Sequence, residues 1–179
     1  MKKPLSELLV KGIGKNDIAA IAAQAAKDEG LYKDLLEAIR IGERTHTMKA
    51  AWIIGTVAEK QDLIFAQKYS STLLDFVLHK ENSGVVRELM KVLLAINLNE
   101  KEEGLYIDFC FKQLHRSDVD IAVKYNANKA IEKALKKYPE LKEEFVSILE
   151  SLLDNHTDAW KRYTTRLLAK LNKPKKQNA

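Results

Sequence analysis

The chain has little of what disulfide-stapled or membrane-spanning proteins are built from. Of its 179 residues one is cysteine, Cys110, so no intrachain disulfide can form and no cysteine-rich metal knuckle can be assembled. Three prolines and seven glycines are few breakers, so connections must be short and regular structure must dominate. No run approaches the roughly 18 apolar residues that span a bilayer. The start, Met1-Lys2-Lys3-Pro4-Leu5-Ser6-Glu7-Leu8-Leu9-Val10-Lys11, is basic, but Glu7 interrupts its apolar stretch. It is too short and too polar for a secretory leader. The expectation is a cytoplasmic protein with no membrane segment.

Catalytic signatures are equally sparse. Gly14-Lys15 has Leu9 where a phosphate-loop glycine must stand, and Asn16 follows the lysine. Gly12-Ile13-Gly14 lacks a third glycine and a preceding strand, so it reads as a break between helices. Neither a nucleophile elbow nor a Ser-x-x-Lys or His-Glu-x-x-His motif occurs. Asn155-His156-Thr157 spells a glycosylation acceptor, but a chain without a leader would not meet that machinery. The acidic pairs Glu102/Glu103 and Glu143/Glu144 sit in polar segments, and adjacent residues on a helix point apart. All-helical lyases of the fumarase type are far longer and carry a Met-Pro loop that this chain lacks. The residues call for no enzyme chemistry and no cofactor.

What is present is a repeat. Hydrophobic residues are 46% and charged residues 31%, the balance of a globular protein. Four basic residues recur at steps of 37 or 38: Lys49, Arg87, Lys124 and Lys161. Each follows an apolar residue (Met48, Val86, Val123, Trp160), and apolar or small residues recur four, seven and eight positions on. That is the 3.6-residue period of one helix face. It places Trp52 and Trp160 at core positions. Three residues before each apolar member stand Thr45, Ser83, Asp120 and Thr157, whose side-chain oxygens suit N-caps. A fixed period in the range of roughly 20–50 residues marks stacked repeats.

A second apolar-periodic segment precedes each of these helices: Leu31–Ile41, Leu63–His79, Leu105–His115 and Leu141–Asp154. Short links force the pairs into antiparallel hairpins. Upstream, Leu5–Val10 and Asp17–Asp28 make an imperfect fifth pair, capped by Asn16 and closed by Gly30. Pro139 can open the helix after it. Ile107, Cys110, Phe111 and Leu114 share one face, which makes Cys110 a buried, inert thiol.

His46, His79, His115 and His156 all fall near turns inside hairpins. Neighbouring repeats stand about 10 Å apart, too far for single histidines to share a metal, so no metal site is expected. His79 and His115 instead suit helix C-termini.

The segment Leu114-His115-Arg116-Ser117-Asp118-Val119-Asp120-Ile121-Ala122-Val123-Lys124 resembles the hallmark of HEAT repeats: Leu, two spaced Asp, then Val and a base leading into an alanine-rich helix. The resemblance covers about residues 5–171. It implies an all-α protein of the ARM type, a right-handed α-α superhelix (α-solenoid) of about five helical hairpins, approximately 5–28, 31–59, 62–97, 101–137 and 140–171. These make a single domain over 1–172, followed by a basic disordered tail, 173–179. Asp and basic columns in that family commonly bond between neighbouring repeats. This carries over to Asp118, Asp120, Arg87 and Lys124, and in register to Lys49 and Lys161.

Charge is unevenly spread. Residues 156–179 hold seven Lys/Arg against one acid, while the other 155 residues hold 23 bases and 24 acids. A further stripe, six and ten positions after each apolar member, is Ile54/Ala58, Val92/Ile96, Lys129/Lys133 and Arg166/Lys170. Either it packs between repeats with a basic end cap, or it lines a groove that turns positive near Tyr125, Trp160 and Tyr163. The expected function is a non-catalytic protein-binding scaffold whose basic C-terminal end, Tyr125, Lys129, Lys133, Arg162, Tyr163, Arg166 and Lys170, favours an acidic protein partner. The alternative is nucleic-acid binding, distantly like the HEAT-like DNA glycosylases. Against that lesion-clamping role, Trp52 and Trp160 lie three repeats apart.

Overall fold

The computed structural model describes residues 14–42, 44–60, 62–153 and 157–173. They form ten α-helices and one 3-10 turn, with no strand among the described residues. Helix α1 is Lys15–Ala25, α2 Glu29–Ile41, α3 Arg44–Glu59, α4 Ile64–Lys68, α5 Ser70–His79 and α6 Ser83–Ala95. Helix α7 is Glu100–His115, α8 Ile121–Ala134, α9 Lys142–Ser151 and α10 Asp158–Leu171. They pair as α2/α3, α4–α5/α6, α7/α8 and α9/α10, and α1 packs on α2 and α3. The segment Leu5–Val10, expected to pair with α1, lies outside the described residues, as do Gly12, Asn155, His156 and the tail from 174 onward.

The second helices α1, α3, α6 and α8 pack closely on one another in sequence order, whereas the first helices touch their neighbours far more sparingly. A stack compressed in one layer and splayed in the other curves toward the compressed one. From α1 to α8 the second helices therefore line the inner face of an all-α solenoid and the first helices its outer face, and α10 continues the second-helix layer. One contiguous core runs from Ile18 to Leu168, between the layers and between successive repeats. Cys110 is wholly buried in it, and burial pushes its thiol well above the usual range.

Caps show how the sequence sets these elements. Asp120 accepts from Ala122 N–H at 2.9 Å and Thr157 from Trp160 N–H at 3.4 Å, as their positions predict. The α6 cap is Asn82 rather than Ser83: its amide oxygen accepts from both Gly84 and Val85 N–H, at 3.0 and 3.3 Å. Thr45 lies inside α3. Asn16 lies inside α1, where Gly14 precedes the helix and donates its N–H to Asp17 at 2.8 Å. Gly30 does not end α1 but sits in the first turn of α2, which Asp28 caps through Leu31 N–H at 3.1 Å. Pro139 opens the 3-10 turn Pro139–Leu141, which leads directly into α9.

Two glycines set a close crossing between α3 and α6. A Cβ on Gly55 would stand 2.9 Å from a carboxylate oxygen of Glu88, and one on Gly84 would meet the Met48 sulfur at 2.5 Å. Trp52 is the main departure from the expected register. It is 39% exposed, while Ala50, Ala51, Ile53, Ile54 and Val57 are buried. The buried face of α3 is thus turned relative to the fixed repeat, and Trp52 points outward. Trp160 is buried as expected.

Candidate functional site

The predicted surface residues divide between α8 and α10 of the last two repeats, which side chains join at Tyr125–Tyr163 and Glu132–Lys170. Tyr125, Lys129 and Lys133 are spaced one turn apart on α8, and Arg162, Arg166 and Lys170 follow the same spacing on α10. The rings of Tyr125 and Tyr163 meet across the seam at 4.8 Å between centroids, tilted by 54°. Trp160 lies 5.8 Å from Tyr163 on the buried side. The Lys129 ammonium stands over the Tyr125 ring at 4.6 Å, in cation–π geometry. Burial, then the neighbouring Tyr125, push the Tyr163 hydroxyl up to about 12, so it stays protonated.

Not all of the stripe is free. Lys133 donates to the Leu94 carbonyl of the preceding repeat at 2.9 Å, at the C-terminus of α6, where the helix dipole favours a cation. Lys170 pairs with Glu132 of α8. These two tie repeats together. Lys129, Arg162 and Arg166 are exposed and make no ion pair among the described residues. Between α6 and α8 lies a shallow depression of about 370 Å³, with Leu94 and Ala95 at its base and Lys91, Lys129 and Lys133 around it. The surface joins fixed aromatic rings to free cations.

The Asp and basic columns behave differently from one another. Asp118 and Arg116 form a two-bond fork, 3.0 and 2.7 Å, within one turn. That bond to Arg116 holds the Asp118 carboxyl below its usual range, against a smaller desolvation penalty. Asp120 is the cap of α8. Arg87 turns to Glu88 on its own helix at 3.1 Å, while its backbone carbonyl accepts from Asn126 of the next repeat at 3.0 Å. Lys124 is 1% exposed, and its ammonium donates to the Leu114 carbonyl of its own hairpin at 3.4 Å. Burial lowers its pKa, and the charge of Asp118 opposes that shift. Lys49 and Lys161 are half-buried on α3 and α10.

A sequence model of a HEAT repeat domain matches residues 5–171, nearly the whole chain. The chain belongs to the HEAT repeat family. Comparison with curated proteins returns no match. HEAT repeats generally serve protein–protein scaffolding and are typically non-catalytic. No group of three or more His, Cys, Asp or Glu among the described residues could hold a metal ion. No helix among them is long and apolar enough to cross a membrane.

The HEAT stack is laced along one edge by residues that the periodic reading passed over. Glu29, at the start of α2, accepts from Lys68 at 2.8 Å and from the Tyr69 hydroxyl. Glu103, in the first turn of α7, accepts from Lys137 at 2.6 Å and from the Tyr138 hydroxyl at 2.8 Å. Between them, Ser70 and Ser71 donate to Glu102. The bonds from Lys68, then Tyr69, hold the Glu29 carboxyl down from 4.5 to about 2. Burial works against the Glu103 carboxylate, but the Lys137 and Tyr138 bonds outweigh it and keep its pKa below the usual range. Both clamps use a Lys-Tyr dipeptide, 68–69 and 137–138, but the same dipeptide at 124–125 takes other partners, so it is no signal by itself. In the first case it also breaks the helix, separating α4 from α5 at Tyr69.

Proposed function

We propose that this HEAT repeat protein is a non-catalytic scaffold module that holds an acidic protein partner against the inner face of its last two repeats. One observation carries the reading: Tyr125, 39% exposed, rests on Tyr163 of the next repeat and lies beneath the Lys129 ammonium. An exposed ring fixed from both sides offers apolar area at little entropic loss on binding. Lys129, Arg162 and Arg166 supply positive charge around it, and the net charge of +6 over residues 156–179 extends the field. Lys133 and Lys170 add to the field while serving the stack.

The test uses a fluorescently labelled, glutamate-rich helical peptide and measures anisotropy. The full chain binds it, and Lys129→Glu with Arg166→Glu weakens binding by about tenfold or more, as removal of central contacts does. Equal affinity of the double variant and the parent refutes the reading. Duplex DNA is the comparison ligand. If DNA binds more tightly than the peptide, with the steep salt dependence of counterion release, the surface belongs to nucleic acid instead.

A further inference from the structure

The outer face carries a feature that the fold does not require. Gly104 sits inside α7, where glycine weakens a helix relative to alanine. Gly55 and Gly84 have neighbours that a methyl would strike, but a Cβ on Gly104 would meet nothing within 4 Å. No internal packing asks for glycine here. Its bare backbone forms the wall of a groove of about 460 Å³ between α7 and the start of α9. Ile107 and Phe111, each 8% exposed, and Leu141 form the apolar floor. Glycine in such a wall is what close approach of another chain needs.

The rim has one sign. Glu100, Glu140, Glu144 and Asp108 stand around the groove, and no cation lines it. Asp108 is answered by Lys112 at 2.6 Å. The other three are exposed and make no ion pair among the described residues.

We propose that this groove receives a cationic amphipathic segment of a second protein, seating an apolar side chain against Gly104 and setting its cations against Glu100, Glu140 and Glu144. Apolar anchors in a closed floor supply the affinity of such a contact, and the charged rim selects the partner. The basic inner face attracts the opposite charge. A chain with both surfaces brings an acidic and a basic partner together on one stack.

The probe is a synthetic helical peptide with leucine on one face and lysine on the other, read by anisotropy, with a version carrying glutamate for lysine as control. The full chain binds the lysine peptide. Gly104→Leu fills the groove and weakens that binding about tenfold, with no fall in melting temperature, since a Cβ there meets no atom within 4 Å and the groove is open beyond it. Glu140→Lys with Glu144→Lys weakens it comparably. Lys129→Glu with Arg166→Glu leaves it unchanged, so this inference and the inner-face reading fail separately. No binding to the parent chain, or equal binding by Gly104→Leu, overturns the proposal. A dimer of the parent chain that Gly104→Leu dissolves assigns the groove to a second copy, and that also overturns it.

Discussion

Gly55 in α3 and Gly104 in α7 both sit in helix interiors, and alanine at either position removes the same backbone penalty of about 1 kcal/mol. At Gly104 nothing opposes the gain, because the new methyl meets no atom within 4 Å. Gly104→Ala is therefore expected to stabilise the protein by about 1 kcal/mol. At Gly55 the methyl would stand 2.9 Å from a Glu88 carboxylate oxygen. That side chain is only 5% exposed and is held by Lys91 at 2.9 Å and Arg87 at 3.1 Å. To admit a methyl it must swing away from one of them, and a charge-assisted bond contributes about 1.5–3 kcal/mol. Gly55→Ala is thus expected to destabilise by about 0.5–2 kcal/mol despite better helix propensity. In a chain of this size each kilocalorie moves the melting temperature by about 2–4 °C, so the two variants fall on opposite sides of the parent. Thermal and urea unfolding followed by far-ultraviolet circular dichroism measures both. The cause is checked in a Glu88→Ala background, where Gly55→Ala should lose its penalty, giving a coupling of about 1 kcal/mol or more. If Gly55→Ala stabilises as much as Gly104→Ala, the close crossing of α3 and α6 is refuted.

Thr164 on α10 is fully buried, and its hydroxyl has no hydrogen-bond partner among the described residues. Thr164→Val keeps the shape and removes the stranded polar atom, so urea unfolding should show a gain of about 1 kcal/mol; a loss would mean the hydroxyl is bonded. The edge carboxylate Glu29 predicts a pH dependence. Its folded pKa of about 2 lies below the ordinary 4.5, so it favours the folded state above that ordinary value, and the contribution fades as pH falls toward 2. The stability gap between the parent and Glu29→Gln should be full at neutral pH and close by about pH 2; a gap unchanged across that range refutes the clamp.

The hairpins were legible because their signal is redundant. Apolar residues at helical spacing, short links and capping oxygens recur together, and each has its own physical cause. Cys110, Trp160, Asp120 and Thr157 fell where that pattern put them. Trp52 did not, because a fixed register presumes that every copy buries the same helical face, and the buried face of α3 is turned from the others. Ser83 lost the cap to Asn82 because a flanking amide that reaches two N–H groups outcompetes a hydroxyl. The inner-face residues could be named one by one, but the contact of the Tyr125 and Tyr163 rings depends on the lateral spacing of α8 and α10, which no single helix encodes. The engagement of Lys133 and Lys170 with the neighbouring repeat was hidden for the same reason. Periodicity also passes over Gly104, since a glycine in a helix reads the same whether its surroundings are crowded or empty.

The lacing of Glu29, Glu102 and Glu103 lies at the edge where one hairpin hands over to the next. At the opposite edge, the turns of the third and fourth repeats stand apart around a cleft of about 960 Å³. Beside that cleft Arg116 pairs with Asp118 and Lys112 with Asp108, the His79 ring meets Asp75, and Lys80 donates to the Arg40 carbonyl of the preceding repeat. Such a stack has an easy direction of bending and a hard one. Flexing that widens or narrows the cleft parts no ion pair among the described residues. Flexing that opens the laced edge must part the Glu29 and Glu102 bonds that run between repeats. The molecule is therefore a spring with a spine, and its softest mode changes the spacing of its turns while the order of its repeats stays locked.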